Sequence, residues 1–168
     1  LVRDKKDITD RAFFWNPETG LLDIHALEGV DAVINLAGEN LAQGRWTIKK
    51  KQAILNSRVK GTKTIVEAIC LSQNQPKILI NASAIGFYGN RGDVVCNEST
   101  VCGSGFLADV CRQWEDAAVP AIDKGIRTIF LRTGIVLSPK GGVLAKMLPL
   151  FKIGLGGNLG NGKQQMSW

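Results

Sequence analysis

The sequence predicts an α/β fold built on a parallel sheet. Three observations carry that expectation. The short apolar runs at 31–38, 77–83 and 126–132 have strand length rather than helix length. Each ends in small or polar residues, where a loop leaves the strand. The segments between them carry helical spacing of apolar residues, so the chain alternates strand and helix. That alternation implies right-handed crossovers and parallel strands.

Taken in order, residues 1–3 read as the end of a strand, followed by the basic group Arg3-Asp4-Lys5-Lys6. Ala12-Phe13-Phe14-Trp15 reads as a short aromatic strand, closed by the turn signal Asn16-Pro17-Glu18-Thr19-Gly20. Leu21 to Leu27 is expected to form a short helix stopped by Gly29. Asp31 to Gly38 is the organising strand. Its last residues, Ala37 and Gly38, let the backbone approach a ligand closely. In open α/β sheets ligands bind at the carboxyl ends of the strands, so this strand end is read as meeting a dinucleotide.

Thr47 is an N-cap for a long helix, in which Leu55, Val59, Thr62, Val66 and Ile69 share one face. Ser72 to Pro76 ends it. Lys77 to Ser83 is a second buried-type strand, followed by Ala84-Ile85-Gly86-Phe87-Tyr88-Gly89. The stretch 90–105 is loop-like. Phe106 to Lys124 is expected to be one helix, with Leu107, Val110, Cys111, Trp114, Ala118 and Ala121 along one side. Ile126 to Arg132 is the third strand, and Leu144 to Phe151 a short helix before a Gly-rich end.

Composition bounds the function. The chain has 168 residues, 45% hydrophobic and 21% charged, as expected for a globular domain. Its net charge is 21 − 15 = +6. The basic residues are scattered, which favours a solvated surface over a nucleic-acid footprint. Cys70, Cys96, Cys102 and Cys111 match no common zinc spacing, so no metal site is expected. They fit reduced thiols in a cytoplasmic protein. No apolar stretch reaches the ~20 residues that span a bilayer. The chain lacks an initiator Met and breaks off at Trp168, so it is read as a fragment.

Several stretches together resemble one family. Asn35-Leu36-Ala37-Gly38 resembles the Asn-Asn-Ala-Gly motif of the short-chain dehydrogenase/reductase superfamily. Ser83-Ala84-Ile85-Gly86-Phe87-Tyr88-Gly89 is similar to the serine-bearing strand end of its extended, epimerase-like branch. Glu39, Arg45-Trp46, Ser57-Arg58, Trp114-Glu115, Leu131-Arg132-Thr133-Gly134 and the glycines from 154 to 162 narrow the likeness. The set resembles the atypical NAD(P)-dependent epimerase/dehydratase-like group, some members of which are labelled cell division inhibitors.

The resemblance implies a Rossmann-type, doubly wound parallel sheet. Residues 1–168 would then be part of a dinucleotide-binding domain whose first strand, Gly-rich loop and substrate subdomain lie outside the chain. It implies NADP rather than NAD as the cofactor, through Val2 and Arg3 at the end of the family's second strand. A guanidinium there suits a 2′-phosphate; a plain surface arginine is the other reading. Leu36, Ala37 and Gly38 would lie against the adenosine ribose and pyrophosphate. Arg58 stands where many relatives have Asn, and would hold a phosphate or the loop carrying Glu39. Glu39 and Arg45 are further candidates, read as a pair. Ile135 and Val136 would meet the nicotinamide carboxamide.

Ser83 matches the catalytic Ser/Thr that hydrogen-bonds the substrate oxygen, and Tyr88, the only tyrosine, would line the pocket. The superfamily's Tyr-x-x-x-Lys pair is missing. Position +4 from Tyr88 is Gly92, and aligning on Glu115 puts the Lys and Tyr positions on Cys111 and Leu107. Neither supplies that acid–base chemistry. Two functions stay open: an enzyme acting on a nucleotide-sugar or small carbonyl, and a non-catalytic NADPH-binding sensor or partner-binding protein. A cell-division role is a third. His25 is read as a surface residue, the tryptophans mostly as packing, and a homodimer is expected from the superfamily.

Overall fold

The computed structural model describes residues 1–158 and 160–168. The element order is β1 (Trp15–Asn16), β2 (Leu21–Leu22), β3 (Ala32–Asn35), α1 (Ile48–Leu71), β4 (Ile78–Ala84), α2 (Phe106–Asp116), α3 (Val119–Asp123), β5 (Arg127–Thr133) and α4 (Gly142–Lys152). Short 3₁₀ turns lie at Lys5–Asp7, Ile24–Leu27 and Ile85–Tyr88. β3, β4 and β5 form a parallel sheet with β4 in the centre. The fold is α/β with a parallel sheet, as the strand–helix alternation predicts, and Rossmann-type, as the resemblance implies.

Alternation along the strands fixes which side chains face the helices. Leu79, Asn81 and Ser83 of β4 are buried, as is Asn35 of β3. Ile34 and Leu131 point the other way and are exposed. Ile65, Val66 and Ile69 of α1 pack with Leu79, Ala118, Ala121 and Ile126 in the core beneath the sheet. Leu55 and Val59, expected on this face, are only half-buried. Ile54 and Gly61 are buried instead, beside Thr62, which is buried as expected.

Four element boundaries differ from expectation. Leu21–Leu27 is not a helix: Leu21–Leu22 pairs antiparallel with Trp15–Asn16, and Asp23 caps only a 3₁₀ turn. The aromatic strand correspondingly shifts from 12–15 to Trp15–Asn16, with Phe14 bridging Val2. Phe106–Lys124 is two helices, because Pro120 has no amide hydrogen to continue the ladder and starts α3 instead. β3 ends at Asn35, so Leu36, Ala37 and Gly38 belong to the loop that follows.

Candidate functional site

The carboxyl end of β3 opens onto a cationic mouth. Asn35 ends the strand, and its Oδ1 accepts from the Ala37 amide (3.2 Å), turning the chain outward. Leu36 stands 70% exposed beyond it. The Glu39 amide donates to Ser57 Oγ of α1 (2.9 Å), and its carboxylate takes Lys50 Nζ at 2.6 Å. This corrects the expected Glu39–Arg45 pair. Lys50 sits in the first turn of α1, capped by Thr47, and so reaches back over the loop. The Lys50 hydrogen bond holds the Glu39 carboxyl below the usual carboxylate range, with smaller help from Arg58 and Arg3.

Arg58 lies under the same loop. Its Nη1 donates to the carbonyls of Glu39 (3.2 Å) and Ile54 (3.1 Å), and its guanidinium lies 5.0 Å from the Trp114 ring. Gly38 is the residue that permits this: a Cβ there would meet Arg58 Cζ at 3.0 Å. Burial pulls the guanidinium below its usual range. Val2 is tied to the preceding hairpin, its amide donating to Phe13 O (2.8 Å) and its carbonyl accepting from Trp15 (2.9 Å). Arg3, next to it, is exposed. The structure thus gathers Gly38, Glu39, Lys50 and Arg58 around one strand end, with the charge of Arg3 acting weakly on the Glu39 carboxyl.

Behind the mouth lies a saturated polar network. Asn35 Nδ2 donates to Thr62 Oγ1 (3.0 Å) and Asn81 Oδ1 (2.7 Å). Thr62 donates to Asn81 Oδ1 (3.3 Å) and accepts Trp114 Nε1 (2.9 Å). The Thr62 hydroxyl therefore uses its one donor and both lone pairs. Such a network fixes the register of β3, β4, α1 and α2 together.

A second cluster sits at the ends of β4 and β5. Ser83 and Arg132 are register partners on neighbouring strands. Glu115 of α2 reaches both: Ser83 Oγ donates to Oε1 (2.6 Å), and Arg132 binds bidentately through Nε–Oε1 (2.9 Å) and Nη2–Oε2 (2.8 Å). Arg132 Nη1 donates to the Tyr88 hydroxyl (3.3 Å), and the guanidinium lies 3.5 Å from the Phe87 ring centroid. The Glu115 carboxylate holds Arg132 protonated even more firmly than usual. Ser83 is 5% exposed and its proton is committed to Glu115.

Leu107 and Cys111 pack against the turn that carries Tyr88. A Cβ at Gly86 would lie 3.3 Å from Leu107 Cβ and 3.6 Å from Cys111 Sγ. Cys111 is buried, and burial pushes its thiol up. Ile135 spends its amide on Ser167 O (2.8 Å), while Val136 is largely exposed. A cleft of about 970 Å3 opens beside Tyr88, with Asn90, Arg91 and Cys96 on one wall and Lys163 on another. His25 is an exposed partner of Glu28, and of the tryptophans Trp15 and Trp114 are buried while Trp46 and Trp168 are exposed.

Sequence reading missed Lys50 and Arg132 as site residues. The signals were a charge ending the apolar run Ile129-Phe130-Leu131 and an acid on the buried side of a helix, next to Trp114. Charges in such places are paired when buried. Among the described residues, no group of three or more His, Cys, Asp or Glu is placed to hold a metal. No described helix is long and apolar enough to cross a membrane.

A parallel sheet with its strand ends open at such a mouth is the Rossmann-type arrangement, a class in which ligands bind beyond the carboxyl ends of the strands. The chain belongs to the NAD dependent epimerase/dehydratase family, whose model matches residues 7–168. It is 50% identical over 154 residues to an epimerase family protein of Mycobacterium bovis, covering 92% of this chain and 50% of that one. It is 39% identical over 146 residues to the chloroplastic SDR39U1 homolog of Arabidopsis thaliana, covering 86% and 42%. The chain spans about half the length of these curated relatives.

Solved structures are similar as well. A nucleoside-diphosphate sugar epimerase from Corynebacterium glutamicum superposes with a TM-score of 0.77 at 41% identity, over 92% of this chain and 32% of that one. Human epimerase family protein SDR39U1 (isoform 2), solved with NADPH, gives 0.75 at 30%, over 83% and 48%.

Proposed function

We propose that residues 1–168 form part of an NADP(H)-binding domain of an epimerase-like short-chain oxidoreductase. The observation that carries this is the cationic mouth at the end of β3, where Lys50 and Arg58 hold Glu39 beside Gly38. The relative solved with NADPH supports NADP over NAD. In this reading Val2 and Arg3 face the adenosine ribose and its 2′-phosphate. Leu36, Ala37 and Gly38 face the ribose and pyrophosphate, and Ile135 and Val136 flank the nicotinamide. The cofactor supplies hydride chemistry at its nicotinamide ring. The chain's residues bind and orient: Tyr88, held by Arg132, faces the cleft where a small substrate, a nucleotide-sugar or carbonyl, would sit. Ser83 stands behind it, through Glu115. The expected location is the cytoplasm, and a homodimer is the expected assembly.

A second reading is a non-catalytic NADPH-binding sensor or partner-binding protein. It is favoured by the commitment of Ser83 to Glu115 and by Leu107 and Cys111 at the positions that the resemblance gives to the Tyr–Lys pair. A turnover screen of the full-length protein with NADPH against carbonyls and nucleotide-sugars separates the two. Turnover that falls in Tyr88→Phe supports the enzyme. Tight NADPH binding with no turnover on any substrate supports the sensor.

A further inference from the structure

Tyr88 is tied down at both ends. Its carbonyl accepts Arg91 Nε (2.9 Å), and the Phe87 carbonyl beside it accepts the Gly103 amide (2.8 Å). Its hydroxyl accepts Arg132 Nη1 (3.3 Å), which also reaches the Glu98 carbonyl (3.4 Å). Arg132 is itself fixed. Glu115 holds it through Nε and Nη2, and its guanidinium lies 3.5 Å from the Phe87 ring centroid and 5.3 Å from that of Tyr88. The Tyr88 oxygen thus takes a hydrogen from a cation, while its own hydrogen meets no acceptor among the described residues. Three groups with an exchangeable proton, Ser83, Cys111 and Tyr88, gather around the end of β4. Ser83 spends its proton on Glu115, and Cys111 is buried. Of the three, only Tyr88 lines the cleft.

We propose that Tyr88 carries the proton of the reaction and that Arg132 is its positioning residue. This deepens the enzyme reading above and rests on it. Reducing a carbonyl takes a hydride at carbon, which is the cofactor's part, and a proton at oxygen. In that step the Tyr88 O–H bond breaks as the O–H bond of the product alcohol forms. The phenolate left behind takes a proton back from water in the open cleft. The charge of Arg132 beside the oxygen, already in place before the step, favours the phenolate while it lasts. Glu115 acts at one remove, by fixing the guanidinium. Oxidation of an alcohol runs the same step backwards.

The test is a kinetic double-mutant cycle on the full-length protein: wild type, Tyr88→Phe, Arg132→Lys and the two together. Each is assayed with NADPH and a panel of small aldehydes and ketones, and its NADPH affinity is read separately by fluorescence titration, which also checks the fold. Tyr88→Phe keeps the ring and removes only the hydroxyl. It should lower kcat by about 100- to 10,000-fold, the range a positioned proton carrier supplies, and leave KM and NADPH affinity in place. Arg132→Lys keeps the cation but gives up the planar fork, so it should lose less. Added to Tyr88→Phe it should cost nothing further, because Arg132 acts through the hydroxyl. A purely structural Arg132 costs the same in both backgrounds, and that result overturns the positioning role. Where Arg132→Lys does not fold, Glu115→Leu with Arg132→Leu supplies the background without the cation. Unchanged kcat in folded Tyr88→Phe, or a loss confined to KM, overturns the proton carrier and leaves the enzyme reading standing. Tight NADPH binding with no turnover by wild type removes the enzyme reading and this proposal together.

Discussion

Glu115 grips Arg132 with both carboxylate oxygens, at 2.9 Å and 2.8 Å, and one of them also accepts a hydrogen bond from the Ser83 hydroxyl. The pair is little exposed, with side-chain values of 10% and 19%. Removing one partner from such a pair leaves an uncompensated charge. Glu115→Gln should therefore cost about 3–5 kcal/mol. The double change Glu115→Leu with Arg132→Leu should recover most of it. Urea unfolding of the two variants against wild type measures this directly; an equal loss in both contradicts a charge-based account.

Thr62 of α1 ties β3, β4 and α2 to its own helix through one hydroxyl. Thr62→Val keeps the shape but strands Trp114 Nε1 and one Asn35 Nδ2 hydrogen in the interior. Each orphaned donor should cost about 1–3 kcal/mol, whereas Thr62→Ser should retain most of the stability. Chemical denaturation of the two variants distinguishes the polar network from simple packing, which predicts the opposite order.

His25 is the only histidine, so its titration can be followed alone. Its Nδ1 lies 2.6 Å from Glu28 Oε1, and that hydrogen bond, then the charges of Glu28 and Asp23, raise its pKa above the ordinary ~6.5. Because the folded value is raised, the stabilisation is complete below the unfolded pKa. It is lost as pH rises through the folded one. NMR titration should show the raised value, and Glu28→Gln should bring it back down. A midpoint that Glu28→Gln leaves in place contradicts the pair.

The sheet was legible because its strands are β-branched and apolar while the crossover helices carry helical spacing. Local pattern suffices for that. Thr47 was legible as a cap for the same reason. Leu21–Leu27 misled because its spacing fits one turn of helix, while the competing partner, Trp15–Asn16, lies across a hairpin. Pro120 offered a local warning of the break between α2 and α3. The site was only half legible. Gly38 and Glu39 follow from position at a strand end, while Arg3 and the helical Arg58 follow from the family resemblance. Glu39 pairing with Lys50 rather than Arg45 depends on how the loop folds over α1. The bond from Ser83 to Glu115 was not legible because the two are 32 residues apart on different elements.

The central claim is that the mouth at the end of β3 takes NADP(H). Fluorescence titration of the full-length protein with NADPH and NADH, in wild type and Arg3→Ala, tests it most directly. The account predicts tight NADPH, weaker NADH, and a gap between them that narrows about ten-fold or more in Arg3→Ala, as expected for one lost guanidinium–phosphate contact. Failure of wild type to bind either cofactor contradicts it.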